Sequence, residues 1–320
     1  MESPAMISIQ RYTPEHKRLW DEFVAKSKNA TFLHFRDYMD YHADRFTDHS
    51  LMAFDAKGNV LALLPANIDG DTLHSHQGLT YGGWLTPIKH FNAATVLELF
   101  DATIQTLKKN GIRMLVYKAI PYIYHRYPAD EDLYALFRHG AQQTECDISI
   151  TCVNGSPLNK YSKGTKLNIA KARQNGIEIA ESQDFESFWK ILETHLKVRH
   201  NATPVHSLQE MRLLHERFPN NIRLFSAFRN GNLVAGCVYY VTDTVAHVQY
   251  AGNTPEGMAL GAMTLIHDQV MHDTFADKRY YDFGTCNEQH GQYLNDGLVI
   301  QKTGLGGRGI AYNIYKLDII

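Results

Sequence analysis

The chain has 320 residues, 44% of them hydrophobic and 21% charged, with a formal net charge of −2. That length carries a prior of about two domains, and the composition is that of a globular protein with ample core. So small a net charge excludes a protein that coats nucleic acid or an anionic membrane, and no stretch approaches the roughly 18 apolar residues needed to cross a bilayer.

A short strand at Ile7-Ser8-Ile9 is followed by Thr13-Pro14-Glu15, which opens a helix: threonine can cap it and proline is tolerated in its first turn. Trp20, Phe23 and Val24 give that helix an i, i+3, i+4 apolar stripe. A second helix is expected near Phe35 to Arg45, then a strand from Ser50 to Asp55 and a turn at Ala56-Lys57-Gly58-Asn59. Further strands are expected from Val60 to Asn67 and from Thr72 to Tyr81, with Gly70-Asp71 turning between them. Ala93 to Lys109 reads as a helix stopped by Asn110-Gly111, and Arg113 to Ala119 as a buried strand.

Residues 154–176 form a basic, turn-rich stretch that becomes helical, and the same order of elements then recurs. Helices are expected at Phe185 to Arg199 and at Ser207 to Phe218, the second opened by a Ser207/Glu210 capping box. Three strands follow at Ile222 to Phe228, Leu233 to Thr242 and Val245 to Gly252, then a helix from Gly261 to Phe275 and a strand from Arg279 to Phe283. Laid onto each other at an offset of 173 (231 − 58), the two meanders stay in hydrophobic phase, and His74 falls on His247. A period of about half the chain means two copies of one unit. The boundary is placed near residue 150, giving domains 1–150 and 151–320, each an α/β (α+β) unit with a mixed, largely antiparallel sheet flanked by helices.

Several residue types could carry chemistry. Asp282 ends a central strand in apolar company; an acid there is either a general base or the cap of the following turn. Lys160, Lys163, Lys166, Lys171 and Arg173 form a basic segment, and with Asn168 they either grip a phosphate or make a solvated face. Arg199 and His200 end a helix before a proline loop, where they either bind substrate or cap carbonyls. Tyr250, near a strand end, is either a donor at a groove or a core tyrosine. His74 and His76 share a strand face without a third ligand at useful spacing, so no metal site is assigned. The four cysteines lack CxxC spacing and read as reduced residues of a cytoplasmic protein.

The element order resembles the GNAT acyltransferase fold, and its tandem occurrence resembles the FemAB-like branch of that superfamily. The helix Asn168 to Ile177, the strand end Tyr281-Asp282-Phe283-Gly284 and the tail Gln301-Lys302-Thr303-Gly304-Leu305-Gly306 carry the resemblance. It implies two tandem GNAT-like domains and a catalytic Lys302, a cation on an expected strand that stabilises the oxyanion of acyl transfer. It also implies that Asp282 and Tyr250 handle the proton, with Gly284, Thr285 and Asn295 beside substrate and an acceptor groove near Arg173, Arg199 and His200. No cofactor is assigned; the donor is acyl-CoA or aminoacyl-tRNA, and the acceptor is a small amine or a cell-envelope or nucleotide-sugar precursor. The glycines of Asn253 to Ala262 are spaced too widely for the CoA pyrophosphate loop of the wider superfamily, and Trp84 stands at the first copy's equivalent turn. An acyl or aminoacyl transferase is therefore expected, with a CoA-dependent N-acetyltransferase and a silent binding protein as alternatives.

Overall fold

The computed structural model describes residues 7–89, 91–200 and 202–319, the side chains of Arg199 and His200 excepted. β1 (Ser8–Arg11) precedes α1 (Lys17–Lys26), which buries Trp20 and Val24 and leaves Phe23 half-buried. The second expected helix is short: α2 (Arg36–Met39) tightens into a 3-10 turn over Asp40–His42. Its Arg36 guanidinium is buried, pairs with Asp40 and Asp48, and lies over the Tyr12 ring. β2 (Thr47–Asp48) and β3 (Leu51–Phe54) follow.

The strand expected from Val60 to Asn67 is two strands, β4 (Val60–Leu64) and β5 (Asn67–Asp69), in different sheets. Pro65 lies between them, and without an amide it cannot continue the ladder. β4 therefore stays with β1 and β3, while β5 pairs with β2 and with β6 (Thr72–His74). β6 is shorter than expected. The loop after it folds back so that Gly82 lies on the Ser75 carbonyl, where any Cβ would collide with main chain. α3 (Ala93–Lys109) has the expected bounds, with the Asn92 side chain accepting from the Ala94 and Thr95 amides. It crosses to β7 (Met114–Lys118), parallel to β6, and α4 (Glu131–Arg138) comes before β8 (Gln142–Val153).

The second copy begins with α5 (Lys163–Gln174), β9 (Ile177–Ser182), α6 (Phe185–His200) and α7 (Leu208–Arg217). The Ser207/Glu210 capping box is formed reciprocally. The meander is β10 (Ile222–Arg229), β11 (Asn232–Val241) and β12 (Val245–Asn253), close to the expected bounds. α8 (Pro255–Leu260) and α9 (Ala262–Gln269), parted by Gly261 in the left-handed region, lead through a π turn to β13 (Tyr280–Thr285), parallel to β12. A small hairpin of β14 (Asn287–Glu288) and β15 (Tyr293–Leu294), then α10 (Asp296–Gly304) and β16 (Arg308–Asp318), complete the chain.

The chain divides into two compact units. One comprises residues 1–147 with 290–292 and 311–320, the other 148–289 with 293–310. In the first, a core of Leu51, Leu64, Trp84, Phe100, Leu115 and Tyr117 lies under α3, and β16 pairs antiparallel with β7. In the second, the sheet order β8-β13-β12-β11-β10-β9 carries a core of Cys237, Tyr239, Ile266, Phe275 and Tyr281. No described helix is long and apolar enough to cross a membrane.

The first unit holds a buried acid. The Tyr117 hydroxyl donates to Asp132 Oδ2 (2.6 Å) and accepts from the Trp84 amide (2.7 Å). Burial pushes the Asp132 carboxyl up to about 6. Because that value lies above the unfolded one, the native state binds the extra proton, and the stability gained is full below about pH 4 and lost as pH rises through about 6. Asp132→Asn has no such slope. Its urea-unfolding free energy relative to the parent is expected to rise by about 3 kcal/mol between pH 4 and pH 7 (two units at about 1.4 each); a constant difference across that range would contradict this.

Candidate active site

The two copies differ where their parallel strands pair. β6 and β7 align Thr72 with Met114, Leu73 with Leu115 and His74 with Val116. β12 and β13 align Val245 with Tyr280, Ala246 with Tyr281 and His247 with Asp282. The equivalent histidines thus face a valine in one copy and an aspartate in the other. Pairing stops at His247 and Asp282 although β12 continues to Asn253 and β13 to Thr285. From that point β12 has no strand partner on the β13 side among the described residues.

Asp282 is fully buried and hydrogen-bonded on both oxygens. Oδ1 accepts from the hydroxyls of Ser149 (2.5 Å) and Thr151 (2.9 Å), both on β8, and from the Gly284 amide (3.3 Å). Oδ2 lies 2.8 Å from His247 Nδ1. A carboxylate so placed accepts the Nδ1 proton, which fixes the neutral tautomer whose Nε2 carries the lone pair. Among the described residues nothing else hydrogen-bonds to this ring, which stays partly open to solvent.

Lys302 sits on α10, not on a strand. The apolar run Leu298 to Ile300 turns helical because Asn295 caps it, its Oδ1 accepting from the Leu298 amide (3.1 Å), while Leu298 and Val299 pack on the core. The ammonium donates to the carbonyls of Gly284 (2.9 Å) and Thr285 (2.7 Å) and lies against the Cys286 thiol. Burial pulls its pKa below the ordinary lysine value, and burial pushes the Cys286 thiol up. Gly284 has φ +79°, in the left-handed region. A Cβ there would come within 3.6 Å of His247 Cε1 and 4.0 Å of Lys302 Nζ, so its absence keeps the space between imidazole and cation clear.

The structure thus gathers Asp282, Gly284, Thr285, Asn295 and Lys302, and adds His247, Ser149 and Thr151. Tyr250 stands three residues beyond His247, its hydroxyl 2.6 Å from His206 Nδ1 and its ring against Trp189; burial raises its pKa. On α5, Thr165, Ile169 and Ala172 form the buried face, while Asn168 and Lys171 are exposed. Arg173 pairs with Asp268 (2.8 Å), which also accepts from the Tyr161 hydroxyl. The side chains of Arg199 and His200 lie outside the described residues. His247 escaped the sequence reading as a site residue. Its one signal was the repeat itself, which put a histidine at the same place in both meanders.

The turn after β12 offers few free amides. Thr254 Oγ1 accepts the Gly257 amide (3.0 Å), Pro255 has no amide, and the Glu256 carboxylate in the first turn of α8 pairs with Arg229. Gly257 lies so close to the Val234 carbonyl that a Cβ would strike it, so α8 is held tight against β11.

Residues 159–292 match the model of a family described as an acetyltransferase (GNAT) domain. No curated protein matches the chain. Among solved structures, the crystal structure of FemX aligns over 97% of both chains with a TM-score of 0.67 at 10% identity. The C-terminal domain of a putative lysylphosphatidylglycerol synthetase from Agrobacterium fabrum aligns over 95% of this chain and 91% of that one (TM-score 0.60, 12% identity). A tandem GNAT protein from the clavulanic acid biosynthesis pathway aligns over 98% of this chain and 99% of that one (TM-score 0.52, 12% identity). At these identities the likeness is one of fold, that of two tandem GNAT-like domains.

Proposed function

We propose that this chain is a FemAB-like member of the GNAT superfamily and moves an aminoacyl group from an activated ester onto an amine. The observation that carries the reading is the His247–Asp282 pair at the point where β12 and β13 part. The amine nitrogen attacks the ester carbonyl, the C–O bond to the leaving alcohol breaks, and His247 Nε2 takes the amine's proton and returns it to the departing oxygen. Asp282 holds the imidazole in the tautomer that can do this. Lys302, across Gly284 from the ring, acts on the oxyanion through its field, since its hydrogen bonds go to main-chain carbonyls.

The state of α8 favours an ester over a CoA thioester. A pyrophosphate is favourably seated on free amides at a helix start, and in α8 Pro255 has no amide and that of Gly257 is taken by Thr254. A putative lysylphosphatidylglycerol synthetase, by its name, joins a lysyl group to a lipid, and an amine-bearing cell-envelope precursor is proposed as the acceptor for this chain.

The test is transfer of a labelled amino acid from charged tRNA, and of labelled acyl groups from acyl-CoAs, to a panel of amine-bearing envelope precursors and amino sugars. Amide formation from the aminoacyl ester is expected. Faster transfer from acyl-CoA would overturn the donor assignment. Failure of both donors, with an amine ligand still bound, would favour a silent binding protein.

A further inference from the structure

The net charge of −2 is spread unevenly along the chain. Residues 148–177 hold Lys160, Lys163, Lys166, Lys171 and Arg173 and no acid. Arg173 is paired with Asp268, while the four lysines are exposed. α5 carries three of them. Its buried face is Thr165, Ile169 and Ala172, so the opposite crest, at helical spacing, is Lys163, Leu167, Ala170 and Gln174, all exposed. Lys166 and Lys171 flank that crest on its two sides.

Three features fix what this face meets. The lysines require an anionic partner, and their spread over a convex helix suits an extended anionic surface better than a single phosphate. Second, a leucine stands in the middle of the crest: Leu167 is 60% exposed, and Leu158, in the turn before the helix, is 78% exposed. A nucleic-acid backbone would be met by lysines on the crest and gains nothing from aliphatic tips. A lipid interface takes up the leucine while the lysines beside it snorkel to the phosphates. Finally, the face is tied to the helix of Lys302. The Ser162 amide (2.8 Å) and the Thr165 hydroxyl (2.9 Å) both donate to the Gly304 carbonyl at the end of α10. Ile300, one turn earlier on α10, is also exposed.

We propose that α5 docks the protein on an anionic phospholipid surface, with Leu167 entering the headgroup region and Lys160, Lys163, Lys166 and Lys171 lying against lipid phosphates. A chain of this net charge does not coat a bilayer, but a local patch suffices for reversible docking. Each lysine contributes about fivefold in affinity and the leucine about tenfold. Docking holds α10, and with it Lys302, beside the lipid. It does not rest on the reaction proposed above.

Co-sedimentation of the full chain with vesicles of phosphatidylcholine, with and without phosphatidylglycerol, tests it. Binding is expected only where phosphatidylglycerol is present. Raising the salt from about 0.1 M to about 1 M, which shortens the screening length from about 10 Å to about 3 Å, should release most of the protein. Lys163→Glu/Lys166→Glu should weaken vesicle affinity by about 25-fold or more, since each lost lysine accounts for about fivefold. Leu167→Gln, which leaves the charge unchanged, should weaken it by about tenfold. All three positions are exposed, so unaltered thermal unfolding is the expected control. Should the double variant lose its fold, Lys160→Glu/Lys171→Glu carries the same expectation. No sedimentation with phosphatidylglycerol vesicles, or binding indifferent to the lysine or the leucine variant, would overturn the proposal. So would duplex RNA that binds more tightly than the vesicles and loses affinity in the double lysine variant but not in Leu167→Gln, a result that gives the face to nucleic acid.

Discussion

Asp282→Asn is expected to lower single-turnover aminoacyl transfer by about 10⁴-fold without unfolding the protein, the size of effect that a wrong histidine tautomer produces elsewhere. The three donors on Oδ1 require an acceptor there, and the carboxamide oxygen of the variant supplies one. The Ser149 and Thr151 hydroxyls could turn to accept from an amide group, but the Gly284 N–H can only donate, which opposes the flipped orientation. The amide nitrogen then faces His247 Nδ1, so Nδ1 must accept, Nε2 keeps its proton, and the base is lost. Near-native thermal unfolding together with that rate loss is the expected pair of results. Turnover within tenfold of the parent would remove the pair from the mechanism. Asp282→Leu is the contrasting variant: it strands two buried hydroxyls and an amide at once, at about 1–3 kcal/mol for each group left unsatisfied, and should be read as a stability change.

The second meander was legible because its signals agreed. β10, β11 and β12 are rich in β-branched and aromatic residues, with Asn230-Gly231 and Asp243-Thr244 marking the turns. The first meander misled at Pro65, where a continuous apolar run hid a change of sheet. Leu298 to Ile300 failed as a strand for the reason short apolar runs often do: periodicity over three residues cannot separate strand from helix, and the arbiter was the Asn295-Asp296 cap. Of the site, Asp282, Gly284 and Lys302 were visible because each stands in an unusual local setting. His247 was not, because its role comes from parallel register across 35 residues and the intervening helices, which no local pattern encodes. Ser149 and Thr151 were hidden although Ile148, Ile150 and Cys152 alternate with them on β8, because only the antiparallel pairing of β8 with β13 carries both hydroxyls to Asp282.

His247→Ala is expected to reduce turnover by about 10²–10⁴-fold, the usual contribution of a positioned general base. The substitution leaves Asp282 Oδ2 without its partner, but the ring was partly open to solvent, so water can reach the vacated place and the fold should persist. That opening also makes the loss repairable. Added imidazole should fill the space beside Gly284, hydrogen-bond to Asp282 and restore part of the rate, whereas Asp282→Asn should gain nothing from it. Such a split separates a base from a merely structural histidine, since a packing defect would respond equally to any small molecule of that size. Retained turnover in His247→Ala would instead move the proton to Tyr250, the other candidate on the same strand. In that case Tyr250→Phe would carry the large loss, and its hydroxyl would have to leave His206 to reach the amine. The raised pKa of that buried phenol opposes its acting as the base, which supports the proposal that the proton goes to His247.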